Sequence, residues 1–235
     1  MASHSRIKDR LVNDAIRRFQ ILAEERQEAD EPAPARVITI SRQLGAGGRR
    51  VGEALAEKLG CPMYDKEILE ILARRPSASY QGKMFEALDE RAQNEIESIM
   101  YTFMGRVDKH TYLFLLPKTV LTLAQHDCII LGRGAHLFLP DSLRVRVEAS
   151  LKTRIANMVH FEGMSEEEAR KEITRSDRSR ARFVRQVAAI LPPKYCWDRT
   201  CRMYDLTINT DHFSMADAAS MIILAAEKRF GPEAE

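Results

Sequence analysis

Apolar side chains recur every three or four residues near the start of the chain, which is the spacing of one helix face. The stripe consists of Ile7, Leu11, Ala15, Ile16, Phe19 and Leu22. It gives way to acidic residues and prolines, so residues 1–35 are predicted to form an amphipathic helix and a linker. This helix could lie on the main domain, or it could mediate a homodimer or bind a partner. Charges of both signs on its other face argue against a membrane anchor.

From Arg36 onward the pattern changes to short apolar runs separated by longer stretches with helical spacing. The β-branched run from Val37 to Ile40 predicts a buried strand. Four more strands are predicted at Cys61 to Tyr64, Cys128 to Leu131, Leu143 to Val147 and Tyr204 to Asn209. Strands that alternate with helices predict an α/β protein with a parallel sheet covered on both faces.

The helices between the strands have their own signals. Val51, Leu55 and Leu59 repeat at four-residue spacing before Gly60, and a long amphipathic helix is predicted from Phe85 to Met104. Pro117 suits the first turn of a helix that runs to about His126. Further helices are predicted from Leu151, from the capping box of Ser165 and Glu168, and from Ala216 to Arg229.

The first strand leads directly into a turn rich in glycine, Ser41-Arg42-Gln43-Leu44-Gly45-Ala46-Gly47-Gly48, here called the glycine loop. Backbone N–H groups converge on a phosphate at such a strand-to-helix turn, and the helix dipole favours negative charge there. Arg49 and Arg50 lie in the first helical turn, where cations are unfavourable unless an anion lies among them. The loop is therefore predicted to bind phosphate, although a tight turn with solvated arginines is the alternative.

The glycine loop departs from the standard phosphate-loop pattern G-x-x-x-x-G-K-[ST] at two positions. Gly48 stands at the lysine position, and Arg49 and Arg50 follow it where the pattern has a magnesium-binding hydroxyl.

Other charged residues follow the predicted strands or cluster in one helix. Asp65 and Arg133 come at the carboxyl ends of strands, where open parallel sheets collect their ligands. Between residues 175 and 185 there are five arginines and one acid. This stretch is either an anion clamp or a solvated helix face; arginine binds phosphate oxygens with a planar fork, which favours the clamp. Its charged members are Arg175, Asp177, Arg178, Arg180, Arg182 and Arg185.

The overall composition narrows the possible functions. Lysine and arginine total 36 against 34 acidic residues, so nucleic-acid binding is not expected. No apolar run approaches a membrane span, no signal peptide is recognised, and a cytoplasmic location with reduced thiols is expected. Cys196 and Cys201 lack nearby histidines, so a metal site there is not expected, and the six histidines are interpreted as structural.

With these residues assembled, the chain resembles the cytidylate kinase-like family, a branch of the P-loop nucleoside monophosphate kinases. The resemblance covers the chain from about residue 36 to its end. It is carried by ITISRQLGAGGRRVGEALAEKLGCPMYDKEIL, CIILGRGAH, EEEARKEITRSDRSRARF and YDLTINT. It implies a three-layer α/β/α P-loop fold with a five-stranded parallel sheet, a helical acceptor-binding insertion at about 66–116 and an arginine-rich lid at about 163–185.

The resemblance also implies ATP-dependent transfer of a phosphoryl group to a nucleoside monophosphate, CMP by likeness, with Mg²⁺. The phosphate-binding residues would be Ser41, Arg42, Gly45, Ala46, Gly47 and Gly48. The acceptor-binding residues would be Asp65, Arg133 and Asp177, and the catalytic residues Arg49, Arg50, Arg175, Arg178 and Arg180. True cytidylate kinases carry Lys-Gly-Thr at positions 48–50 and an aspartate at Gly134. A nucleotide-binding sensor without transfer chemistry is therefore the alternative.

Overall fold

The computed structural model describes residues 2–28, 34–74, 81–104, 111–191 and 203–231. These residues form helices and strands in alternation after an N-terminal helix. In chain order the elements are α1 (Ala2–Glu28), β1 (Val37–Arg42), α2 (Gly48–Leu59), β2 (Met63–Tyr64), α3 (Lys66–Arg74), α4 (Gln81–Glu86), α5 (Glu90–Tyr101), α6 (Tyr112–Leu123), β3 (Cys128–Leu131), α7 (Ala135–Phe138), β4 (Leu143–Glu148), α8 (Leu151–Glu162), α9 (Glu166–Ile190), β5 (Leu206–Asn209) and α10 (Met215–Phe230).

The five strands form one sheet in the order β2-β3-β1-β4-β5, and every neighbouring pair is parallel. Successive residues of β3 face opposite sides: Ile129 packs with α2 and α10, whereas Ile130 packs with the helices on the other face. A strand buried on both faces is a continuous apolar run, which is why the short runs in the sequence marked the strands correctly. The predicted three-layer α/β/α fold with a five-stranded parallel sheet is confirmed.

Two helix predictions between β2 and β3 are wrong. The stretch from Phe85 to Met104 is not one helix, because α4 ends at Glu86 and Asp89 then caps a separate helix, α5, by accepting from the Ala92 amide at 2.8 Å. The following helix begins at Tyr112 rather than at Pro117. Pro117 lies inside α6, where a proline costs roughly 3 kcal/mol, and burial of the surrounding apolar residues offsets that cost.

The N-terminal helix packs on the main domain along its apolar face. Ala15, Ile16, Phe19 and Ala23 are buried in the same cluster as residues of β1, β2 and α3. The Phe19 ring meets the ring of His126, at the end of α6, edge to face with 4.9 Å between centroids. Three residues of the predicted stripe, Ala15, Ile16 and Phe19, are therefore covered by the chain itself.

His126 makes stability sensitive to acid. Burial lowers the pKa of its imidazole from 6.5 to about 4, and its Nε2 has no hydrogen-bond partner among the described residues. Between these pH values the unfolded chain binds more protons than the folded one, so stability decreases as the pH falls from 6.5 to about 4. We expect a loss of at most about 3 kcal/mol in the free energy of unfolding from this group. Urea unfolding of the wild type and of His126→Phe measures it, and equal pH slopes for the two proteins contradict it.

Some predictions fall outside the described residues. These include Cys196, Cys201 and Pro32 of the linker. None of the described helices is both long and apolar enough to cross a lipid bilayer.

Candidate functional site

Because all five strands are parallel, their carboxyl ends meet at one edge of the sheet. There β1 and β3 run side by side, and the Gly132 amide donates to the Ile40 carbonyl at 2.9 Å. Arg42 is the last residue of β1, and Arg133 is the second residue after β3, so the two lie on neighbouring strand ends. Asp65 follows β2 on the other side of β3. The sheet thus brings together the charged residues that the sequence placed after its strands.

The glycine loop joins β1 to α2 in a conformation that needs glycine. Gly45 and Gly47 have positive φ values of 81° and 78°. A Cβ on Gly45 would lie 2.5 Å from the Arg154 carbonyl oxygen, and one on Gly47 would overlap the Met215 side chain. Gly47 is the N-cap of α2 and offers no side chain to its first amides. The amides of the first turn of α2, beginning with Gly48, have no partner inside the helix and are available to an anion.

Two side chains of α8 hold the glycine loop from behind. The buried Arg154 guanidinium donates to the Leu44 carbonyl at 2.6 Å, and Asn157 donates to the Gly45 carbonyl at 2.7 Å. The C=O and N–H of one trans peptide point in opposite directions, so the Gly45 amide faces away from α8. The same Arg154 donates to the Asp177 carboxylate at 2.7 Å. Asp177 therefore contacts Arg154, the residue that supports the glycine loop. Its predicted role in acceptor binding stays a prediction.

Two cavities open at this edge of the sheet. The loop cavity, of about 830 Å³, is bounded by the glycine loop, the start of α2, the residues after β2 and the end of α8. The inner cavity, of about 500 Å³, is bounded by the ends of β1 and β3, by β4 and by α9. Both are lined by Arg42, Leu44, Lys66, Glu172, Arg175 and Arg180. Four of these six shared residues carry positive charge, so the boundary between the cavities is strongly cationic.

The charges at this boundary are crowded. Burial and then the Arg180 guanidinium lower the pKa of Arg42 from 12.5 to about 9, while Asp65 opposes the shift. Burial lowers the pKa of Lys66, with Arg133, Arg180 and Arg42 adding to the effect. Arg42 still carries its positive charge at neutral pH, because its pKa stays well above 7. An anion placed among these groups would relieve their mutual repulsion.

Arg133 lines the inner cavity from the β3 side. It has a positive φ of 53°, which is uncommon for a residue with a side chain. Its guanidinium forms an ion pair with Glu70 on α3 and lies 4.9 Å from the centroid of the Phe183 ring on α9. Burial, followed by repulsion from Arg180, lowers its pKa to about 10. The insertion and the lid thus both contact this residue.

Asp65 has two separate contacts at the rim of the loop cavity. One carboxylate oxygen accepts from the amides of Glu67 and Ile68 at 2.9 and 3.1 Å, which caps α3. The other oxygen lies 3.3 Å from the Arg49 guanidinium, which also pairs with Glu53. Arg49 therefore lies at the rim of the loop cavity, paired with the carboxylates of both Asp65 and Glu53. Its predicted catalytic role, and the acceptor role of Asp65, remain predictions.

The other predicted arginines divide between the site and the outer surface. Arg50 lines the loop cavity with its guanidinium 3.8 Å from the Phe161 ring centroid. Arg180 lies at the cavity boundary and donates to the Arg42 carbonyl at 2.5 Å, whereas Arg175 lies there exposed and paired with Glu172. Arg178 lines neither cavity and lies with Arg182 along a separate groove of α9.

Sequence reasoning missed several residues of the site. Lys66 begins α3 directly after Asp65, and Arg146 lies near the carboxyl end of β4, so the strand-end rule could have found both. Tyr204 and Phe161 carry no such signal. Tyr204 lines the inner cavity beside the buried His136, whose ring centroid lies 4.9 Å from that of the tyrosine. His136 Nδ1 lies 3.3 Å from the Ser41 hydroxyl, and burial lowers its pKa to about 4, so this imidazole is neutral.

Magnesium, which the resemblance implies, has no ready set of protein ligands here. No group of three or more His, Cys, Asp or Glu residues in the described part of the chain could hold a metal ion. Arg49 and Arg50 supply cations where the standard loop supplies a hydroxyl. Asp65 already contacts two amides and Arg49. The residues present do not match the protein ligands of the standard magnesium site.

Comparison with solved structures gives the following similarities, of which the first supports the fold. An uncharacterized protein from Eubacterium ventriosum aligns with a TM-score of 0.59 at 20% identity, over 82% of this chain and 98% of that one. A shikimate kinase from Bacteroides thetaiotaomicron aligns with a TM-score of 0.45 at 16% identity, over 82% and 98% of the two chains. A shikimate kinase from Acinetobacter baumannii, in complex with shikimate, gives 0.43 at 15% identity over 83% and 94%.

Comparison with families identifies the chain. None of the curated proteins searched matches it. The sequence model of the cytidylate kinase-like family matches residues 37–212, which is most of the chain. The match begins at the first residue of β1 and includes the glycine loop, Asp65, Arg133 and α9. The chain belongs to the cytidylate kinase-like family.

Proposed function

We propose that this protein is a phosphotransferase that moves a phosphoryl group from ATP to a nucleoside monophosphate, CMP or a close relative. The observation that carries the proposal is the cationic boundary shared by two adjoining cavities. A donor with its phosphates on the glycine loop and an acceptor in the inner cavity would meet at that boundary. Phosphoryl transfer needs in-line positioning and positive charge near the transferring group, which such a boundary can supply.

The linings of the two cavities favour this assignment of donor and acceptor. The loop cavity combines helix-terminal amides with the apolar wall of Met158, Phe161 and Met164, which suits phosphates attached to a planar base. The inner cavity combines Arg133 with the aromatic rings of Phe183 and Tyr204, which suits a monophosphate with a second base. Arg42 and Arg180 at the boundary would contact phosphates from both sides. The glycine-loop amides would orient the donor, and α9 would limit the access of water.

Mg²⁺ accompanies ATP in this proposal, and it supplies positive charge on the phosphates when it is bound. Because the protein ligands of the standard site are missing, we assign no residue to the metal. The acceptor roles of Asp65, Arg133 and Asp177, and the catalytic roles of Arg49, Arg50, Arg175, Arg178 and Arg180, are part of the proposal.

A second candidate function is a nucleotide-binding sensor that has lost transfer chemistry. Two observations favour it: Gly48 replaces the lysine of the standard loop, and arginines, Arg49 and Arg50, stand where a hydroxyl should follow it. Such a protein would bind nucleotides in the same cavities without turnover.

One pair of measurements tests both candidates. The purified chain is incubated with magnesium and ATP, and ADP formation is followed with CMP, dCMP, UMP, AMP or GMP and with ATP alone as the control. We expect ADP formation that depends on the acceptor and is fastest with a cytidine nucleotide. If no acceptor raises ADP formation above the control while ATP raises the thermal midpoint of unfolding, the sensor replaces the kinase. If nucleotides change neither quantity, both candidates are refuted.

A further inference from the structure

The glycine loop differs from the standard pattern at a third position, the first one. In G-x-x-x-x-G-K-[ST] the first glycine stands five residues before the second and six before the lysine. With Gly47 as the second glycine, the first position is Arg42 and the lysine position is Gly48. The chain therefore has a cation where the pattern has glycine, and a glycine where the pattern has its cation. This is a reciprocal exchange across the loop.

The two exchanged positions touch each other. A Cβ on Gly48 would lie 2.6 Å from the Arg42 Cβ and 2.9 Å from its Cγ, which is closer than real side chains approach. The stem of Arg42 thus fills the space in which a side chain at position 48 would begin. A lysine at position 48 and the present Arg42 cannot both fit without a shift of the loop.

A second glycine makes room for the guanidinium of the same arginine. Gly132, at the end of β3, has a positive φ of 85°, and a Cβ there would overlap Nη1 of Arg42 and lie 3.1 Å from its Cζ. Two glycines from different parts of the chain, Gly48 and Gly132, thus accommodate one arginine side chain. The guanidinium lies across the strand ends, on the boundary of both cavities.

The surroundings of the Arg42 guanidinium suit an anionic ligand. Its nearest charged neighbours include three further cations, Arg180, Arg133 and Arg49, and one acid, Asp65. Within the part of the chain that the structure describes, no ion pair or hydrogen bond engages its guanidinium. The main chain of the same residue is fixed, because Arg180 donates to its carbonyl. Arg42 is therefore a positioned cation with bonding capacity for a ligand.

We propose that Arg42 takes the place of the phosphate-loop lysine and binds the terminal phosphates of the donor nucleotide, with its cation carried on β1 instead of α2. This inference rests on the proposed function, since it assigns a role within the same site. A guanidinium binds two phosphate oxygens at once with its planar fork, where a lysine offers a single charged point. The exchange therefore preserves the charge at the phosphates while changing its geometry and its anchor.

The test restores the standard arrangement. We compare the wild type with Arg42→Met, which keeps most of the stem without the charge, with Arg42→Gly, and with the double variant Arg42→Gly/Gly48→Lys. Inorganic tripolyphosphate and ATP are titrated calorimetrically, ADP formation is measured in parallel, and circular dichroism with thermal unfolding verifies the fold of each variant. Arg182→Gln, an exposed arginine of α9 outside both cavities, controls for the loss of one positive charge.

We expect Arg42→Met and Arg42→Gly to weaken tripolyphosphate binding at least about 30-fold, as loss of a charge-assisted contact predicts. The double variant should recover at least about tenfold of that loss, because the lysine then has the space that the arginine stem vacated.

Several outcomes overturn the inference. Wild-type affinity in Arg42→Met does so, and so does a folded double variant that binds no better than Arg42→Gly. In both cases the wild type still binds and turns over, so the proposed function survives without this assignment. Failure of the wild type to bind either ligand refutes the proposed function itself.

Discussion

Replacing Arg180 by glutamine lowers the turnover number by about 100-fold or more, which corresponds to about 3 kcal/mol in the activation barrier. Arg180 lies at the boundary of the two cavities and contacts the main chain of Arg42, so under the proposed function its charge would lie beside the transferring phosphoryl group. We expect kcat to fall more than KM rises, because charge develops on the phosphoryl oxygens in the transition state. Steady-state kinetics with magnesium, ATP and the preferred acceptor measure both constants.

The same substitution should not destabilise the protein. Burial lowers the pKa of Arg180, Asp177 opposes the shift, and Arg154 and Arg146 add to it, so the fold holds this charge at a net cost. Thermal unfolding of Arg180→Gln should therefore give a midpoint at or above that of the wild type. Arg182→Gln, two residues along on the outer face of α9, is the matched control and should retain full turnover. Wild-type kcat in Arg180→Gln contradicts the role of this residue.

Replacing Gly45 by alanine abolishes nucleotide binding and destabilises the fold. The positive φ of 81° costs about 1–2 kcal/mol for an alanine, and the new Cβ would lie 2.5 Å from a backbone oxygen of α8. Main chain cannot rotate away as a side chain can, so the loop must shift and its amides lose their arrangement. We expect ATP binding to become undetectable by calorimetry and the free energy of unfolding to fall by roughly 2 kcal/mol or more.

Gly60 is the matched control at the other end of α2. It has a similar positive φ of 64°, but nothing lies within 4 Å of a Cβ placed there. Gly60→Ala should therefore lose only about 1 kcal/mol of stability and bind ATP as the wild type does. If the two alanine variants have the same ATP affinity, the shape of the glycine loop does not determine binding.

The sheet and the glycine loop could be predicted from the sequence because the signals for both lie within short stretches of neighbouring residues. Strands buried on two faces are apolar runs, and a glycine cluster between a strand and a helical stripe indicates a strand-to-helix turn. The rule that parallel strands collect ligands at their carboxyl ends then placed Asp65 and Arg133 beside the loop. The positions of these two residues could be predicted without knowing how the chain packs.

The orientation of the lid arginines was harder to predict. Residues 174–182 contain no large apolar side chain, so nothing inside this stretch marks the inner face of α9. The buried Ile173 and Val187 lie outside it, and a 3.6-residue period through them places Arg180 inward and Arg178 outward. Sequence reasoning treated the arginines as one group and did not make this division.

Contacts that depend on how separate segments of the chain pack could not be predicted from the sequence. The overlap of Arg42 with Gly48 and Gly132 depends on the register of β1 against β3 and on the path of the loop. The division of the predicted helix at Asp89 shows a different limit. The apolar residues keep helical spacing on both sides of Asp89, so the spacing alone does not show where one helix ends and the next begins.

The double contact of Arg154 links the position of the glycine loop to the position of α9. One end of its guanidinium binds the Leu44 carbonyl and the other binds Asp177, while α8 keeps its stem buried. A swing of α9 that carried Asp177 away would strand a buried positive charge, at a cost of roughly 1–3 kcal/mol or more. The position of α9 is therefore held by a contact from underneath, and a movement that breaks this contact would also loosen the glycine loop, the proposed binding site of the donor phosphates.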